Sequence, residues 1–354
     1  MKALIFLALI GLTFAIGNRI EQIIAGEIMP EQKDLEEMYL EFMKKYGAHP
    51  IYEGNSLKSL NRFEIFKNSV YTIMKHNMEK ANTWEMGITQ FAALTEEEFL
   101  ILPMFSAPQN CSATSPRDHI QNLKLGNFKL PDFIDWREHG VVSDVKDQGR
   151  CGSCWTFSTT GCLEAHYAMK MKIPPVLFSE QQLIDCARDS YGNNGCKGGL
   201  PSNAFEYFKN VSGANTEDDY PYQSGAGQDN FTCRFDPGKV VATVPGGSFN
   251  ITPENETQMV EHMAAYGPIS IAYQVVGDFR LYKGGIYTSK TCKNSERDVN
   301  HAVLAVGYGS ENSLDYWIVK NSWGKVWGDQ GYFKIKRGVN MCGVAVCSAY
   351  PLLN

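Results

Sequence analysis

Residues 147–157 constrain the fold of this chain more than any other stretch, and they read Asp-Gln-Gly-Arg-Cys-Gly-Ser-Cys-Trp-Thr-Phe. Two glycines form a turn that carries two cysteines, and residues 155–160, which lack Gly and Pro, predict the start of a helix. Gly161 interrupts this stretch, but helical spacing resumes through Met169. Cys154 is therefore expected at a helix N-terminus, where unpaired N–H groups and the helix dipole favour an anion. For a cysteine, that anion is the reactive thiolate.

A Cys-x-x-Cys pair such as Cys151 and Cys154 can be a redox dithiol, half of a zinc site, or one disulfide cysteine beside one catalytic cysteine. A zinc site needs a second pair at similar spacing, and the sequence contains no other Cys-x-x-Cys. A redox dithiol does not require the His and Asn segments that follow further along the chain. These observations favour a catalytic cysteine and leave a thiol–disulfide oxidoreductase as an alternative from a different class.

The composition is that of a globular protein long enough for two or three domains, with 354 residues, 44% of them hydrophobic and 20% charged. The net charge of −6 gives no reason to expect nucleic acid as a partner. Residues 1–17 predict a signal peptide, because Lys2 precedes an apolar run and Ala15-Ile-Gly17 suits cleavage. The run is shorter than the stretch of about 20 residues that a membrane anchor needs. We therefore expect no membrane anchor in the mature protein.

The ten cysteines and the leader point to an oxidising compartment. Five Asn-x-Ser/Thr triplets are candidate glycosylation sites, although such triplets also arise by chance. They are Asn110, Asn210, Asn230, Asn250 and Asn255. Together these features predict passage through the secretory pathway, and they leave a lysosome, a digestive vacuole and secretion open as the destination.

Two helices are predicted before residue 80. Residues 31–46 are charged and amphipathic and follow Pro30, which suits a helix start. A second pattern places one face of a helix at three- and four-residue steps, at Phe63, Phe66, Val70, Ile73 and Asn77. A small helical domain packed on itself is the simplest interpretation of this region.

Residues 147–157 resemble the nucleophile segment of the papain family of cysteine peptidases, except that Thr156 stands where Ala is usual. Residues 130–137 resemble the start of the mature chain in that family. The sequence is then mainly helical, with a capping-box pattern at Ser179-Glu-Gln-Gln182. Later segments at 301–306, 316–319 and 332–336 are rich in β-branched and aromatic residues and predict strands. The resemblance implies an α+β, papain-like two-lobed fold, with a helical lobe and a β-barrel-like lobe.

The N-terminal helical region resembles the inhibitory propeptide of the same family. Four residues match its interrupted helix motif, namely Arg62, Phe66, Ile73 and Asn77, whereas Lys58 and Ser69 depart from it. Residues 87–93 resemble the propeptide motif that follows, but Thr89 and Ala93 replace its Asn and Asp. The missing Asp leaves an acid trigger at that position without support.

Residues 108–114, Pro-Gln-Asn-Cys-Ser-Ala-Thr, resemble the end of the mini-chain of cathepsin H-type members, a propeptide remnant held by a disulfide. Ala107 departs from that pattern, because the mini-chain begins with Glu. The alternative is a loop with a sequon and an unrelated cysteine. The predicted organisation is a signal peptide at 1–17, an inhibitory propeptide at 18–106, a mini-chain at 107–114, a linker removed on maturation at 115–129 and a papain-like peptidase domain at 130–354.

A catalytic thiolate needs a partner histidine, because an ordinary thiol is mostly protonated at neutral pH. Six of the seven histidines are less suitable: His49, His76 and His119 lie in the predicted propeptide or linker, and His139, His166 and His262 are expected at the surface. His301 begins an apolar strand 147 residues after Cys154, within the range expected for the family. His301 is therefore the predicted partner of Cys154.

The resemblance supplies the other residues of the predicted site. Asn321, in Lys-Asn-Ser-Trp-Gly, would orient the imidazole, and Trp323 would shield their hydrogen bond from water. The Gln148 side chain and the Cys154 backbone N–H would donate to the oxyanion. The predicted substrate-binding residues are Gly198, Gly199, Leu200, Pro201, Ala302, Trp323 and Thr114. A plain disulfide-bearing turn is the alternative for residues 195–201.

Spacing alone does not determine which cysteines pair. By resemblance, Cys151 pairs with Cys196, Cys186 with Cys233, Cys292 with Cys342, and Cys111 with Cys347. Cys154 then stays a thiol as the nucleophile. Cys162, on the same predicted helix, is expected to be a small buried apolar residue.

The resemblance thus implies a cysteine peptidase zymogen that cleaves peptides and proteins and is inhibited by its own propeptide. The Cys111–Cys347 bond would tether the mini-chain in the cleft, where the Thr114 carboxylate would meet the N-terminal ammonium of a substrate. We expect an aminopeptidase with some endopeptidase activity, monomeric and without a metal or organic cofactor. One alternative is an ordinary endopeptidase that has lost the mini-chain. Another is a binding protein whose propeptide inhibits other peptidases.

Overall fold

The computed structural model describes residues 18–52, 60–105 and 129–354. Several predicted features lie outside the described residues, namely the signal peptide 1–17, Lys58, the mini-chain 107–114 with Asn110, Cys111 and Thr114, and the linker with His119 up to residue 128. The described part consists of an N-terminal unit, residues 18–105, and a C-terminal unit, residues 129–354, that contains most of a mixed sheet.

Aromatic packing holds the N-terminal unit together. Its elements are α1 (Gln32–Tyr46), α2 (Leu60–Met78), the short strand β1 (Trp84–Met86) and α3 (Glu96–Leu100). The apolar face of α2 packs on α1, and the Phe66 ring lies 5.1 Å from the rings of both Tyr39 and Phe42. All three side chains are buried, so Phe66 occupies the centre of this small core.

Arg62 joins α2 to α3 through a bidentate ion pair. Its guanidinium donates to both carboxylate oxygens of Glu98, at 2.6 and 2.7 Å, and to the Ala93 carbonyl at 3.0 Å. Thr95 caps α3 and exchanges hydrogen bonds with Glu98. At position 93, where the resembling motif has an Asp, Arg62 contacts only the main chain. The carboxylate that pairs with Arg62 is that of Glu98 instead.

The C-terminal unit begins with a helical layer. Its helices are α4 (Cys154–Met171), α5 (Glu180–Cys186) and α6 (Pro201–Asn210), and α7 (Glu256–Tyr266) follows later in the chain. The predicted helix start at Cys154 is confirmed, and α4 continues through Gly161, where an added Cβ would lie 3.3 Å from the Leu304 side chain. The glycine thus lets a strand approach the helix closely. In the part of the chain that the structure describes, no helix combines the length and apolar character needed to cross a bilayer.

A nine-stranded sheet forms the second layer and includes β1. Its other strands are β2 (Ile134–Asp135), β3 (Gly247–Asn250), β4 (Ile269–Tyr273), β5 (Tyr282–Tyr287), β6 (His301–Glu311), β7 (Leu314–Lys320), β8 (Tyr332–Lys336) and β9 (Ala349–Leu352). The strand order is β1-β5-β8-β7-β6-β4-β9-β3, and β2 pairs with β6. β6 is central, is buried along most of its length, and pairs antiparallel with both β4 and β7.

The sheet is open, which corrects the β-barrel-like lobe predicted from the sequence. Among the described strands, β3 pairs only with β9 and β1 only with β5, so the two ends of the strand order do not meet. β1, from the N-terminal unit, pairs with the outer edge of β5. The predicted α+β, two-lobed papain-like arrangement is otherwise confirmed.

The N-terminal unit binds the C-terminal unit by adding a strand and burying an aromatic side chain. β1 pairs antiparallel with β5, and the Gly87 N–H donates to the Leu281 carbonyl at 2.8 Å. The Trp84 ring lies edge-on to the Tyr287 ring at 4.9 Å. Main-chain hydrogen bonds combined with a side-chain pocket are a common way for an extended segment to bind a sheet edge.

The disulfides agree with the predicted pairs wherever both cysteines are described. The bonded pairs are Cys151–Cys196, Cys186–Cys233 and Cys292–Cys342. Cys154 and Cys162 are thiols, and both are buried, as predicted for Cys162. Cys347 is disulfide-bonded, but its predicted partner Cys111 lies outside the described residues, so that pair stays a prediction.

Two histidines expected at the surface are buried, which corrects the prediction for His166 and His262. His166 donates from Nε2 to the Pro268 carbonyl at 2.9 Å, and His262 Nδ1 lies 2.9 Å from the Tyr350 hydroxyl. Burial lowers the pKa of both imidazoles to about 4. A helical pattern with polar residues on several faces does not reveal which face another element covers. His139 is exposed, as predicted.

The Arg62–Glu98 pair predicts acid-sensitive packing of the N-terminal unit. The hydrogen bonds from Arg62 hold the pKa of Glu98 below its usual range. The pair therefore stabilises the fold above the unfolded carboxyl pKa of about 4.3, and this contribution is lost as the pH falls through the lower folded value. In a chain with Cys154→Ala to prevent self-cleavage, we expect Glu98→Gln to lower local stability by about 1 kcal/mol at about pH 6 and by much less at about pH 3. Hydrogen exchange of the α2 and α3 amides measures this difference.

The matched control is Glu64→Gln, which removes a surface pair with Lys67 on α2. This substitution should change amide exchange little at either pH, because surface pairs contribute little free energy. Equal loss of protection in both variants, or an effect of Glu98→Gln that does not depend on pH, would contradict the prediction.

Candidate active site

Cys154 lies at the N-terminus of α4, and the turn before it is bonded to residues 195–199. The Trp155 indole N–H donates to the Gly195 carbonyl at 3.0 Å, and the Cys151–Cys196 disulfide adds a second link to the same segment. An added Cβ on Gly199 would lie 2.7 Å from the Trp155 ring, so a side chain at this position would separate the two segments. The predicted nucleophile and the predicted substrate wall are therefore held against each other.

His301 begins β6 and faces Asn321, the residue that follows β7. Its Nε2 lies 2.8 Å from Asn321 Oδ1. The Ser322 backbone N–H donates to the same atom at 2.8 Å, which identifies that atom as the amide oxygen independently of the histidine. Nε2 therefore carries a proton and donates it, and Nδ1 of the neutral ring is unprotonated. Nδ1 has no hydrogen-bond partner within the described residues.

Aromatic rings cover the imidazole. The Trp323 ring lies 4.9 Å from the His301 ring, and the Phe105 ring, from the N-terminal unit, lies 6.0 Å away. Burial lowers the pKa of His301 to about 4, although the hydrogen bond to Asn321 acts in the opposite direction. The imidazole is therefore neutral at mildly acidic and neutral pH in this state.

Cys154 and His301 line one small cavity. The predicted site residues that line it are Cys154, His301, Gly199, Leu200, Pro201 and Ala302. Its volume is about 20 Å³, room for about one water molecule. Cys347 lines the same cavity. The structure thus brings together the predicted nucleophile, its predicted partner and four of the predicted substrate-binding residues.

The remaining predicted substrate-binding residues do not line this cavity. Trp323 is 1% exposed, and its ring lies 5.3 Å from Phe91 and 6.0 Å from Phe99, so in this state it shields the His301 ring. Gly198 precedes the lining residues, and its carbonyl accepts a hydrogen bond from the main chain at 2.8 Å. Thr114 lies outside the described residues.

Gln148 is fully buried, and both polar atoms of its amide are engaged. Nε2 donates to the Cys151 and Met104 carbonyls at 2.8 and 2.9 Å, and Oε1 accepts from the Ser322 hydroxyl at 2.7 Å. Met104 belongs to the N-terminal unit. A main-chain carbonyl of that unit therefore occupies a donor that was predicted to serve the oxyanion.

Three residues that contribute to the site were not predicted from the sequence. Ser322 holds both Asn321 and Gln148, and its place inside Lys-Asn-Ser-Trp-Gly was an available signal. Met104 acts through its carbonyl, which leaves no side-chain pattern to read. The Tyr222 hydroxyl donates to the Gln148 carbonyl at 2.7 Å, and the aromatic turn Tyr-Pro-Tyr at 220–222 was its only signal.

A buried charge network lies behind the predicted site. Lys146 donates to Glu164 at 3.0 Å and to Glu180 at 2.7 Å. Lys320 donates to the Ser143 hydroxyl at 2.8 Å, and Ser143 donates to Glu164. Burial alone would raise the pKa of Glu164, but the two lysines outweigh it and the pKa is lowered. The network links α4, which carries Cys154, to β7, which is followed by Asn321.

The sequence and the fold of this chain are similar to those of known proteins. Residues 130–352 match the papain family cysteine protease, and residues 39–99 match the cathepsin propeptide inhibitor domain (I29). The chain is 50% identical over 292 residues to a pro-cathepsin H of Medicago truncatula, a match that covers 82% of this chain and 80% of that protein. It is 48% identical over 302 residues to the pro-cathepsin H of Mus musculus, covering 84% and 86%. The solved structure of digestive procathepsin L 3 from Tenebrio molitor larval midgut is similar, with a TM-score of 0.77 and 36% identity over 90% of this chain and 99% of that one.

The two family matches correspond to the two units of the fold, the inhibitor match to the N-terminal unit and the protease match to the C-terminal unit. The protease match contains α4 and β6, which carry Cys154 and His301. The inhibitor match contains α2, β1, about half of α1 and nearly all of α3. The chain therefore belongs to the papain family of cysteine proteases, as a peptidase zymogen that carries its own I29 inhibitor domain.

Proposed function

We propose that this zymogen yields a cathepsin H-like peptidase in which Cys154 and His301 form a thiolate–imidazolium pair. The observation that carries the proposal is that both side chains line one cavity while Asn321 engages Nε2 of His301, so that Nδ1 is left for the thiol. Pairing of this kind lowers a thiol pKa from about 8.5 to about 3–4, a stabilisation of the thiolate by roughly 6 kcal/mol. The dipole at the N-terminus of α4 adds to this effect.

In the proposed mechanism the Cys154 thiolate attacks a peptide carbonyl. The Gln148 side chain and the Cys154 backbone N–H donate to the oxyanion that forms. His301 protonates the leaving amine, and the acyl group stays on sulfur as a thioester. His301 then takes a proton from the water that hydrolyses the thioester. These steps use neither a metal nor an organic cofactor, and the substrates are peptides and proteins bound along residues 198–201.

Two physical reasons support an inactive state before the N-terminal unit is removed. The Met104 carbonyl uses the Gln148 donor that an oxyanion would need. Phe105 covers His301, and the low pKa of that ring favours a neutral imidazole, which stabilises a thiolate less well than a cation does. Release of this unit would free the donor and admit water to the ring.

The position of Cys347 supports an aminopeptidase. Cys347 is disulfide-bonded and lines the cavity that Cys154 and His301 share. With six cysteines paired to one another and two present as thiols, Cys111 is the one that remains in the sequence. We therefore infer that the mini-chain is tethered beside the cleft.

The tether would place a carboxylate at the end of the substrate site. Eight extended residues, 107–114, reach at most about 26–29 Å, enough to fill the subsites on the N-terminal side of the scissile bond. Processing would free the Thr114 carboxylate to meet a substrate ammonium. At about 4 Å and an effective dielectric constant of about 20 this contact is worth up to roughly 4 kcal/mol, and less where solvent reaches it. Free N-termini would be favoured, with some endopeptidase activity left.

Three other candidate functions are less well supported. A thiol–disulfide oxidoreductase would need Cys151 and Cys154 to bond to each other, whereas Cys151 is bonded to Cys196. An ordinary endopeptidase is the second candidate if processing removes residues 107–114. A binding protein that acts on other peptidases would show stable inhibition in trans by the N-terminal unit.

We also propose that the chain enters the secretory pathway and reaches a lysosome or digestive vacuole, with secretion as the alternative. The leader at 1–17 supports this route. Among the sequons within the described residues, Asn210, Asn230 and Asn255 are exposed, and Asn250 is partly buried and accepts a hydrogen bond from Ser248. We expect a monomer without a membrane anchor or a nucleic-acid partner.

Cys154→Ser should abolish peptidase activity while leaving the fold intact, because a serine hydroxyl is not ionised by an imidazole in the way that a thiol is. The measurement is kcat/KM of the processed protein on fluorogenic peptides. Cys162→Ser is the matched control, since the buried Cys162 thiol donates to the Pro268 carbonyl at 3.3 Å and does not line the cavity of Cys154 and His301. Its turnover should stay near the unmodified value. Retained turnover in Cys154→Ser, or equal loss in both variants, rules the mechanism out.

Gln148→Ala should lower kcat by about 10²–10³-fold with little change in KM, because one oxyanion donor is lost. Steady-state kinetics of the processed enzyme measure both constants. Ser322→Ala keeps the donor but removes the hydroxyl that holds Gln148 Oε1, and its loss in kcat should be smaller. A loss below about tenfold in Gln148→Ala would contradict the assigned role.

Deletion of residues 107–114 should shift the processed enzyme toward endopeptidase behaviour. Relative rates on substrates with free and with blocked N-termini measure this shift, and we expect the preference for free N-termini to fall by at least about tenfold. Cys347→Ser, which breaks the tether without a deletion, should act in the same direction. Intact mass under non-reducing conditions checks that the mini-chain is present in the unmodified enzyme. An unchanged preference in both variants would defeat the aminopeptidase proposal.

A further inference from the structure

The Tyr222 hydroxyl bridges Gln148, which carries one proposed oxyanion donor, and Ser153, which precedes the residue that carries the other. It donates to the Gln148 carbonyl at 2.7 Å and lies 2.9 Å from the Ser153 hydroxyl. A phenol has one proton to donate, and the carbonyl takes it, so Ser153 donates to the tyrosine oxygen. The peptide group that begins at Ser153 carries the Cys154 N–H. The Tyr222 hydroxyl therefore connects the backbone of Gln148, whose side chain is one donor, with Ser153, whose carbonyl forms the peptide group of the Cys154 N–H.

We propose that Tyr222 is a positioning residue for the oxyanion hole, an inference that rests on the proposed peptidase mechanism. It does not touch the cavity that Cys154 and His301 line, and it acts through Gln148 and Ser153.

Tyr222 is itself held firmly. Its backbone N–H donates to Glu217 Oε1 at 2.8 Å, and its ring packs edge-on against Phe157, in the first turn of α4, at 5.0 Å. Burial raises the pKa of the phenol, so the hydroxyl keeps its proton and stays a donor across the working pH range. A fixed ring with a permanent donor is suited to setting the position of another group.

The loop that carries Tyr222 supports the oxyanion turn at a second point. The Arg150 N–H donates to the Gly225 carbonyl at 2.9 Å, and an added Cβ on Gly149 would lie 2.2 Å from the same oxygen. From the opposite side, the Gln148 N–H donates to the Ser322 carbonyl at 2.9 Å. Gln148 is thus held on one side by Ser322, which follows the sheet strand β7, and on the other side by the loop that carries Tyr222.

Oxyanion donors act in the transition state, where a misplacement of a few tenths of an ångström weakens them. Loss of the Tyr222 hydroxyl should therefore lower kcat and leave ground-state binding and the thiolate–imidazolium pair nearly unchanged. A merely structural role would instead lower all activities in parallel.

The test compares Tyr222→Phe with Tyr220→Phe, both expressed as the full chain and processed with the same added peptidase. Tyr220 is a matched control two residues away, since its hydroxyl also makes two hydrogen bonds, to Asp185 Oδ2 at 2.6 Å and from the Arg234 N–H at 3.0 Å. Three readouts are measured: kcat and KM on a peptide amide, the affinity for a peptide aldehyde whose thiol adduct places an oxygen in the hole, and the rate of Cys154 alkylation by iodoacetamide, which needs the thiolate but no oxyanion donor.

For Tyr222→Phe we expect kcat to fall about tenfold and the aldehyde to bind about tenfold more weakly, a part of the 10²–10³-fold effect of a whole donor. KM and the alkylation rate should stay within about twofold, and Tyr220→Phe should leave all readouts within that range. If Tyr222→Phe does not fold, Ser153→Ala, which removes one of the two contacts, should show the same separation of readouts.

Parallel loss of alkylation and turnover in Tyr222→Phe, or no change in either tyrosine variant, overturns the proposal. So does a Ser153→Ala enzyme whose kcat and alkylation rate fall together. Absence of turnover in the unmodified processed enzyme would instead refute the peptidase mechanism, which keeps the two failures distinct.

Discussion

One hydrogen bond between the ends of two neighbouring strands orients the imidazole on which this site depends. His301 begins β6 and Asn321 follows β7, and the antiparallel pairing of these strands brings the two side chains to 2.8 Å. Ser322 fixes the amide, and Trp323 keeps water away from the bond. If the ring turned over, Nδ1 would no longer be left for the thiol of Cys154, and the helix dipole alone would not replace a cationic partner.

The proposed nucleophile Cys154 lies on a helix and its proposed partner His301 on a sheet, so their separation depends on how the two layers pack. Part of that packing is ionic, through Lys146, Glu164 and Lys320. Burial lowers the pKa of Lys320 to about 8, which shows the cost of removing a charge from water, although the carboxylate of Glu164 opposes it. Removal of one partner would leave an uncompensated buried charge, which would destabilise the contact between α4 and the sheet.

The inhibitor domain makes two of its contacts with the peptidase domain through its main chain. It adds β1 to the edge of β5 and sets the Met104 carbonyl on Gln148, and both contacts are made by main-chain atoms. Acid weakens the Arg62–Glu98 pair of this domain, because protonation of Glu98 removes the charge that Arg62 binds.

Local patterns with a direct physical meaning were readable in the sequence, because they concern residues close together in the chain. Examples are Cys154 at a helix start after a glycine turn, and His301 at the start of an apolar strand. Only the tertiary structure decided that the sheet is open, because strand pairing joins segments that lie far apart in the chain. It also decided the burial of His166, which depends on what packs against α4, and the contact of Met104 with Gln148. Every residue has the same backbone carbonyl, so the amino-acid sequence does not indicate which donor the carbonyl of Met104 will accept from.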